Sequence, residues 1–164
     1  MHELFTALET LKDTNLIFTM PNADIDGDII FKMINAFVSK NSNSISFISL
    51  GQLKYLSCIK YVDAVLGNSS SGLLEVPTFK KATINIGDRQ NGRVMADSVI
   101  NCNPNKDSIL KAIKKVYSSS FKKKLISTIN PYGKGGASKS ILKKIKTISL
   151  NNILKKNFYD LEFK

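Results

Sequence analysis

The sequence predicts an α/β fold in which a parallel β-sheet is flanked by helices. Short runs of β-branched and apolar residues alternate with amphipathic stretches of helical length, an alternation typical of β-α-β units. The 164 residues fit one domain with one core. Glycine-containing turns directly follow two of the predicted strands, and this is the edge at which open α/β sheets bind ligands.

The predicted elements follow one another without a linker or repeat. A helix over 3–12 leads into a buried strand over 15–19 and then, through a loop, into an amphipathic helix over 28–40. The remaining predicted elements are strand 44–49, helix 52–62, strand 62–66, a short helix that ends near Pro77, strands 82–86 and 98–101, and helices 105–117, 121–129 and 137–148. We therefore predict one domain over 1–150, followed by a C-terminal helix or tail over 151–164.

Charge and hydropathy narrow the class of protein. The formal net charge is +11, but most lysines of the last third alternate with apolar residues as on solvated helix faces, without the aromatic residues of a nucleic-acid stacking platform. No apolar run approaches the roughly 20 residues of a membrane span, and the N-terminus lacks the pattern of a secretory signal. Cys58 and Cys102 are far apart in the sequence, and each lies within an apolar pattern. This is typical of buried free thiols in a reducing compartment. We expect a cytoplasmic protein with no nucleic-acid or membrane partner.

Two loops at the predicted carboxyl edge of the sheet carry binding chemistry. The first reads Gly67-Asn68-Ser69-Ser70-Ser71-Gly72 and is followed by Glu75; the second reads Gly87-Asp88-Arg89-Gln90-Asn91-Gly92-Arg93. Hydroxyl and backbone N–H groups from one loop, with guanidinium groups from the other, suit a phosphorylated ligand. A carboxylate at position 75 can accept hydrogen bonds from two adjacent ribose hydroxyls.

Structural roles remain open for the same residues. Ser70 or Ser71 can cap the following helix, with Glu75 favouring its dipole. Asp88 can form a surface ion pair with one of the arginines. Capping and ligand binding are compatible, so the pattern leaves both interpretations standing.

Three sharper chemical interpretations fail. A P-loop needs lysine after Gly72, where leucine stands, and a nucleophile elbow needs a second glycine where Ser71 stands. The acidic loop from Asp24 to Asp28 lacks the glycine and glutamate spacing of an EF-hand, so no metal site is predicted. Asn22 and Asp24 in that loop remain candidate polar ligand contacts.

Five strings in order resemble the hydrolysing UDP-N-acetylglucosamine 2-epimerase family, including relatives that act on UDP-diacetylbacillosamine. They are Pro21-Asn22-Ala23-Asp24, the Gly67–Gly72 turn, Glu75-Val76-Pro77, the Asn85–Arg93 loop and Asn130-Pro131-Tyr132-Gly133. The resemblance extends over nearly the whole chain. It implies a Rossmann-like domain, the C-terminal half of a two-domain GT-B fold, which grips UDP or a UDP-N-acetyl-sugar.

The resemblance also implies residue roles. Ser69 and Ser70 would contact the diphosphate, Glu75 the ribose hydroxyls, and Asn22 and Arg89 would line the same nucleotide site. The residues expected to support the loops are Asp24, Ser71, Gly72, Gln90 and Arg93.

The family reaction begins with elimination of UDP, and hydration of the unsaturated sugar then inverts C2. It implies no metal and no other cofactor. The acid–base carboxylates lie in the N-terminal half and a histidine in a His-Pro motif opens the C-terminal half, so no catalytic residue is assigned here. His2 is followed by Glu3 and does not match that motif.

The absent His-Pro segment normally ends the first, central strand of this half. Its loss predicts a gap between the strands at 15–19 and 62–66. Either the chain is a truncated remnant without activity, or a separately encoded N-terminal half completes it and receives the tail over 151–164.

We therefore expect the UDP-binding half of a hydrolysing epimerase of sialic-acid-like sugar synthesis, inactive as a lone chain. The alternatives are a non-catalytic nucleotide-sugar-binding remnant and the donor domain of another GT-B glycosyltransferase. A homo-oligomer is compatible with each of these three possibilities.

Overall fold

A computed structural model describes residues 1–21, 27–151 and 153–155. The chain divides into two units, Met1–Tyr132 and Gly133–Lys164. The strands of the larger unit are β1 (Leu16–Thr19), β2 (Ser44–Phe47), β3 (Ala64–Gly67), β4 (Ala82–Ile86) and β5 (Val99–Cys102). Its helices are α1 (His2–Leu8), α2 (Gly27–Lys40), α3 (Gly51–Tyr61), α4 (Ser71–Leu74), a 3-10 turn (Val76–Phe79), α5 (Lys106–Val116) and α6 (Ser119–Ser127).

The described strands form two parallel sheets instead of one. β1 pairs with β2, whereas β3, β4 and β5 form a separate sheet in that order. Compared with the doubly wound order 3-2-1-4-5-6, the two sheets supply positions 3-2 and 4-5-6 and leave the central position empty. The predicted α/β fold with a missing first strand is confirmed, and the gap lies between β1 and β3 as expected.

Each sheet has its own apolar core, and one leucine joins them. Ile84 and Ile100 pack with Val116 and Phe121 of α5 and α6. The other core is aromatic, with Phe5 of α1 stacked on Phe37 of α2 at 4.9 Å between ring centroids. Leu66 of β3 packs against both clusters. The two sheets therefore share a continuous interior despite the gap in strand pairing.

The first helix is shorter than the sequence predicts. It ends at Leu8 instead of residue 12, because the N–H groups of Thr10 and Leu11 turn to carbonyls three residues back and Asp13 has a positive φ of 55°. Its first turn is tied to α5, since Glu3 Oε2 accepts a hydrogen bond from the backbone N–H of Lys106 at 2.8 Å. A carboxylate at a helix N-terminus also interacts favourably with the helix dipole.

The smaller unit contains one helix, α7 (Ala137–Thr147), among its described residues. The apolar residues of this helix lie on one side and its lysines on the other. None of its residues is buried. No helix among the described residues is long and apolar enough to cross a membrane. Residues 152 and 156–164 lie outside the described part, so the role predicted for the tail over 151–164 stays a prediction.

Candidate functional site

The two predicted binding loops leave the same edge of one sheet. β3 and β4 are parallel neighbours with Gly67 opposite Asn85, so their carboxyl ends lie side by side. The serine turn starts directly after β3, and the arginine loop starts at Gly87, whose φ of 81° favours glycine. The expectation that both loops leave a parallel sheet at its carboxyl edge is confirmed.

A single backbone carbonyl ties the two loops. Arg89 Nη1 donates to the oxygen of Asn68 at 3.1 Å, and Gln90 Nε2 donates to the same oxygen at 2.6 Å. The Gln90 side chain is only 2% exposed, whereas that of Arg89 lies at the surface. Gln90 thus anchors the arginine loop, and the exposed guanidinium of Arg89 stays next to the serine turn.

The serine turn presents backbone donors as well as hydroxyls. Ser70 precedes α4 but makes no side-chain capping hydrogen bond, so the capping role left open for it is absent. Ser69 Oγ accepts from the N–H of Ser71 at 3.4 Å. Among the described residues, none accepts a hydrogen bond from the N–H groups of Ser69 or Ser70. These two donors are available to a ligand.

Ser71 and Glu75 form part of a hydrogen-bonded chain. Ser71 Oγ donates to Glu75 Oε2 at 2.5 Å and lies 2.6 Å from the Tyr55 hydroxyl of α3. Burial and the neighbouring Glu75 raise the pKa of Tyr55, although the hydrogen bond to Ser71 opposes the shift. In the sequence, Tyr55 is one residue of the helix predicted over 52–62. No signal in one sequence joins residues 16 positions apart on different elements.

Gly72 lets α4 lie directly against β4. A Cβ at this position would stand 2.6 Å from Thr83 Cγ2. The Thr83 hydroxyl donates to the carbonyl oxygen of Gly72 at 2.6 Å, and Thr83 is 2% exposed. A larger residue at position 72 would therefore require α4 or the Thr83 side chain to shift, and the loop-supporting role of Gly72 stays a prediction.

The Asn130-Pro131-Tyr132 string contacts segments that follow the two loops in the sequence. Asn130 Nδ2 donates to the carbonyl of Leu74 at 2.8 Å and to Thr78 Oγ1 at 2.7 Å. The Tyr132 hydroxyl donates to the carbonyl of Val94 at 2.9 Å, directly after the arginine loop. The string therefore braces the segments on both sides of Glu75 and the residue that follows the second loop.

The surface ion pair left open for Asp88 does not form. In the described parts of the chain, neither Arg89 nor Arg93 pairs with a carboxylate. Arg93 is exposed and supports its loop through its backbone, whose N–H donates to the Gln90 carbonyl at 3.3 Å. The guanidinium groups of both arginines are therefore not engaged by Asp88.

Two candidate residues cannot be placed. Asn22 and Asp24 lie outside the described residues. Within those that are described, no group of three histidine, cysteine or acidic side chains is arranged to hold a metal ion.

Comparison with known proteins shows the family of the chain. Residues 1–146 match the family model described as UDP-N-acetylglucosamine 2-epimerase. The chain is 42% identical over 160 residues to the GDP/UDP-N,N'-diacetylbacillosamine 2-epimerase (hydrolyzing) of Campylobacter jejuni, a match that covers 96% of this chain and 41% of that protein. It is 41% identical to the polysialic acid biosynthesis protein P7 of Escherichia coli, with 97% of this chain and 41% of that protein covered.

Solved structures show the same fold. A UDP-GlcNAc 2-epimerase of Methanocaldococcus jannaschii, in complex with UDP-GlcNAc and UDP, matches with a TM-score of 0.70 at 19% identity and covers 88% of this chain and 39% of its own. A Listeria monocytogenes structure described as a UDP-N-acetylglucosamine 2-epimerase matches with a TM-score of 0.71 at 18% identity. That match covers 98% of this chain and 43% of the Listeria chain. The chain thus spans about two fifths of these relatives. It belongs to the UDP-N-acetylglucosamine 2-epimerase family.

Proposed function

We propose that this chain is the UDP-binding half of a hydrolysing UDP-N-acetylglucosamine 2-epimerase. The observation that carries the proposal is the junction at the Asn68 carbonyl, where Arg89 and Gln90 hold the arginine loop against the serine turn. Hydroxyls, available N–H groups and an exposed guanidinium converge there at the carboxyl edge of the sheet. This set of donors suits a diphosphate.

The residue roles follow from this arrangement. Ser69 and Ser70 offer N–H and hydroxyl donors to the diphosphate oxygens, and Arg89 adds positive charge beside them. Glu75 accepts hydrogen bonds from the ribose diol. Asn22 completes the nucleotide site in this proposal, although it lies outside the described residues.

The relatives suggest the class of sugar. Proteins 42% and 34% identical to this chain are named as hydrolysing epimerases of UDP-N,N'-diacetylbacillosamine, the first also of the GDP form. We propose a UDP-linked N-acetylated sugar as ligand and a role in sialic-acid-like sugar synthesis. Cys58 and Cys102 are free thiols, which suits the cytoplasm.

The open position between β1 and β3 favours a partner over independent activity. In this proposal an N-terminal half supplies the missing central strand and the acid–base carboxylates. These 164 residues alone bind UDP but do not release it from the sugar. UDP leaves by elimination, and water then adds with inversion at C2, only when both halves are present.

Calorimetry with UDP and the Glu75→Ala variant tests the binding proposal. We expect UDP to bind the wild-type chain and the variant to bind it about 1–3 kcal/mol more weakly, because a charged acceptor of two hydroxyls is lost. Glu9→Ala is the matched control, since Glu9 is an exposed carboxylate at the end of α1.

An RNA oligomer serves as the competing ligand. Salt-dependent binding of RNA, with no heat of binding for UDP, would indicate that the net charge of +11 serves nucleic-acid binding. That result would overturn the proposal. Equal UDP affinities of the wild type and Glu75→Ala would reduce Glu75 to a structural residue.

A further inference from the structure

Tyr55 stands at the far end of the hydrogen-bonded chain that reaches Glu75. Its hydroxyl lies 2.6 Å from Ser71 Oγ, which in turn lies 2.5 Å from Glu75 Oε2. Tyr55 belongs to α3, whereas Ser71 opens α4 and Glu75 follows it. This series of hydrogen bonds therefore links the carboxylate of Glu75 to α3, a longer helix of the domain.

Proton counting fixes the direction of this chain. A carboxylate only accepts hydrogen bonds, and a serine hydroxyl has one proton to donate. Because Ser71 gives its proton to Glu75, the bond between Tyr55 and Ser71 must have Tyr55 as the donor. Both O–H groups thus point toward the carboxylate, and hydrogen bonds aligned in this way strengthen one another.

The chain limits the motion of Glu75. A glutamate has several rotatable bonds, and an exposed one loses that freedom only when a ligand fixes it. Here Oε2 is held by Ser71, whose own hydroxyl is held by Tyr55, and Oε1 remains for a ligand. A carboxylate that is oriented before binding loses less freedom when it binds, so its affinity is higher.

We propose that Tyr55 is a positioning residue that orients Glu75 through Ser71 and thereby sets the preference of this site for a ribonucleoside diphosphate over one that lacks the ribose hydroxyls. The proposal rests on the proposed function, because it requires Glu75 to face the ribose. The phenol is suited to this task. A tyrosine hydroxyl is protonated at neutral pH, and burial raises the pKa of Tyr55 further, so it remains a donor.

The test compares binding of UDP with binding of 2′,3′-dideoxy-UDP to the full chain. We expect the wild type to prefer UDP and Glu75→Ala to lose most of that preference. Tyr55→Phe removes only the hydroxyl, and we expect it to reduce the preference about 3- to 10-fold through weaker UDP binding, with dideoxy-UDP affected little. Tyr61→Phe is the matched control, since Tyr61 lies on the same helix and is 81% exposed.

Ser71→Ala interrupts the same series of hydrogen bonds at its middle residue. It is the variant to measure if Tyr55→Phe does not fold. We expect it to lower the preference at least as much as Tyr55→Phe. Adding Tyr55→Phe to Ser71→Ala should then have no further effect, because the two residues act in series.

The outcomes distinguish a failure of the Tyr55 proposal from a failure of the proposed UDP-binding function. Absence of UDP binding to the wild type would overturn both. UDP binding that depends on Glu75, with an unchanged preference in Tyr55→Phe and Ser71→Ala, would overturn the positioning role alone. Equal weakening of both nucleotides would also overturn it, since that result indicates a general structural effect.

Discussion

The Asn68 carbonyl is the residue-scale feature on which the site depends. Two donors from the arginine loop converge on it, one from the buried Gln90 and one from the exposed Arg89. A buried amide without its acceptor would be costly, so Gln90 holds the loop in one position. Arg89 is thereby kept beside the serine turn without using all of its donors.

Gly72 provides a direct test of how closely the turn must pack. Gly72→Ala should lower the free energy of unfolding by about 1–3 kcal/mol, because the new Cβ would meet Thr83 Cγ2 at 2.6 Å. Denaturant unfolding measures the change. Thr83→Ser removes the obstructing methyl group and keeps the hydroxyl that donates to Gly72, so the double variant should recover part of the loss. Full stability of Gly72→Ala alone would contradict the packing account.

Single residues were predictable from the sequence where local chemistry determines them. The serine turn and the arginine loop could be placed at strand ends because β-branched runs end at glycines. The bonds from Gln90 to Asn68 and from Tyr55 to Ser71 could not, since they join residues 22 and 16 positions apart. Such contacts depend on how strands and helices pack, which the local pattern does not specify.

At the scale of elements, the split sheet is the main departure from a complete doubly wound domain. The five described strands match the predicted positions to within two residues, because each is a short apolar run bounded by turn residues. Their division into two sheets follows from the empty central position. The sequence alone predicted this gap only through the family resemblance, since no periodic pattern marks an element that is absent.

The gap leads to a prediction about activity. Incubated alone with UDP-N-acetylglucosamine or its diacetylbacillosamine analogue, the 164-residue chain should release no UDP, because the proposed acid–base carboxylates lie in the other half. The assay measures free UDP over time. Co-expression with the N-terminal half of the Campylobacter jejuni relative should restore release.

The matched control for that assay is Glu75→Ala in the same mixture, which should reduce the restored rate. Release of UDP by the chain alone would show that these residues carry the reaction themselves. It would also remove the reason for proposing a partner half.

For the whole molecule, many of the positively charged side chains lie on helices. Lys114 and Lys115 lie in the last turn of α5. The last turn of α6 contains Lys124, and that of α7 contains Lys144 and Lys146. Cations at helix C-termini interact favourably with the helix dipole. The charge is therefore consistent with solvated helix faces, as the sequence predicted, and the described residues of the proposed UDP site lie at the carboxyl edge of the three-stranded sheet.

The central claim is that UDP occupies the edge formed by the serine turn and the arginine loop. An NMR titration of the isotopically labelled chain with UDP locates the ligand directly. We expect the largest shifts at the backbone amides of Ser69 and Ser70 and at the guanidinium of Arg89, with little change in β5 or α6. Shifts concentrated at another surface, or no shifts at saturating UDP, would contradict the account.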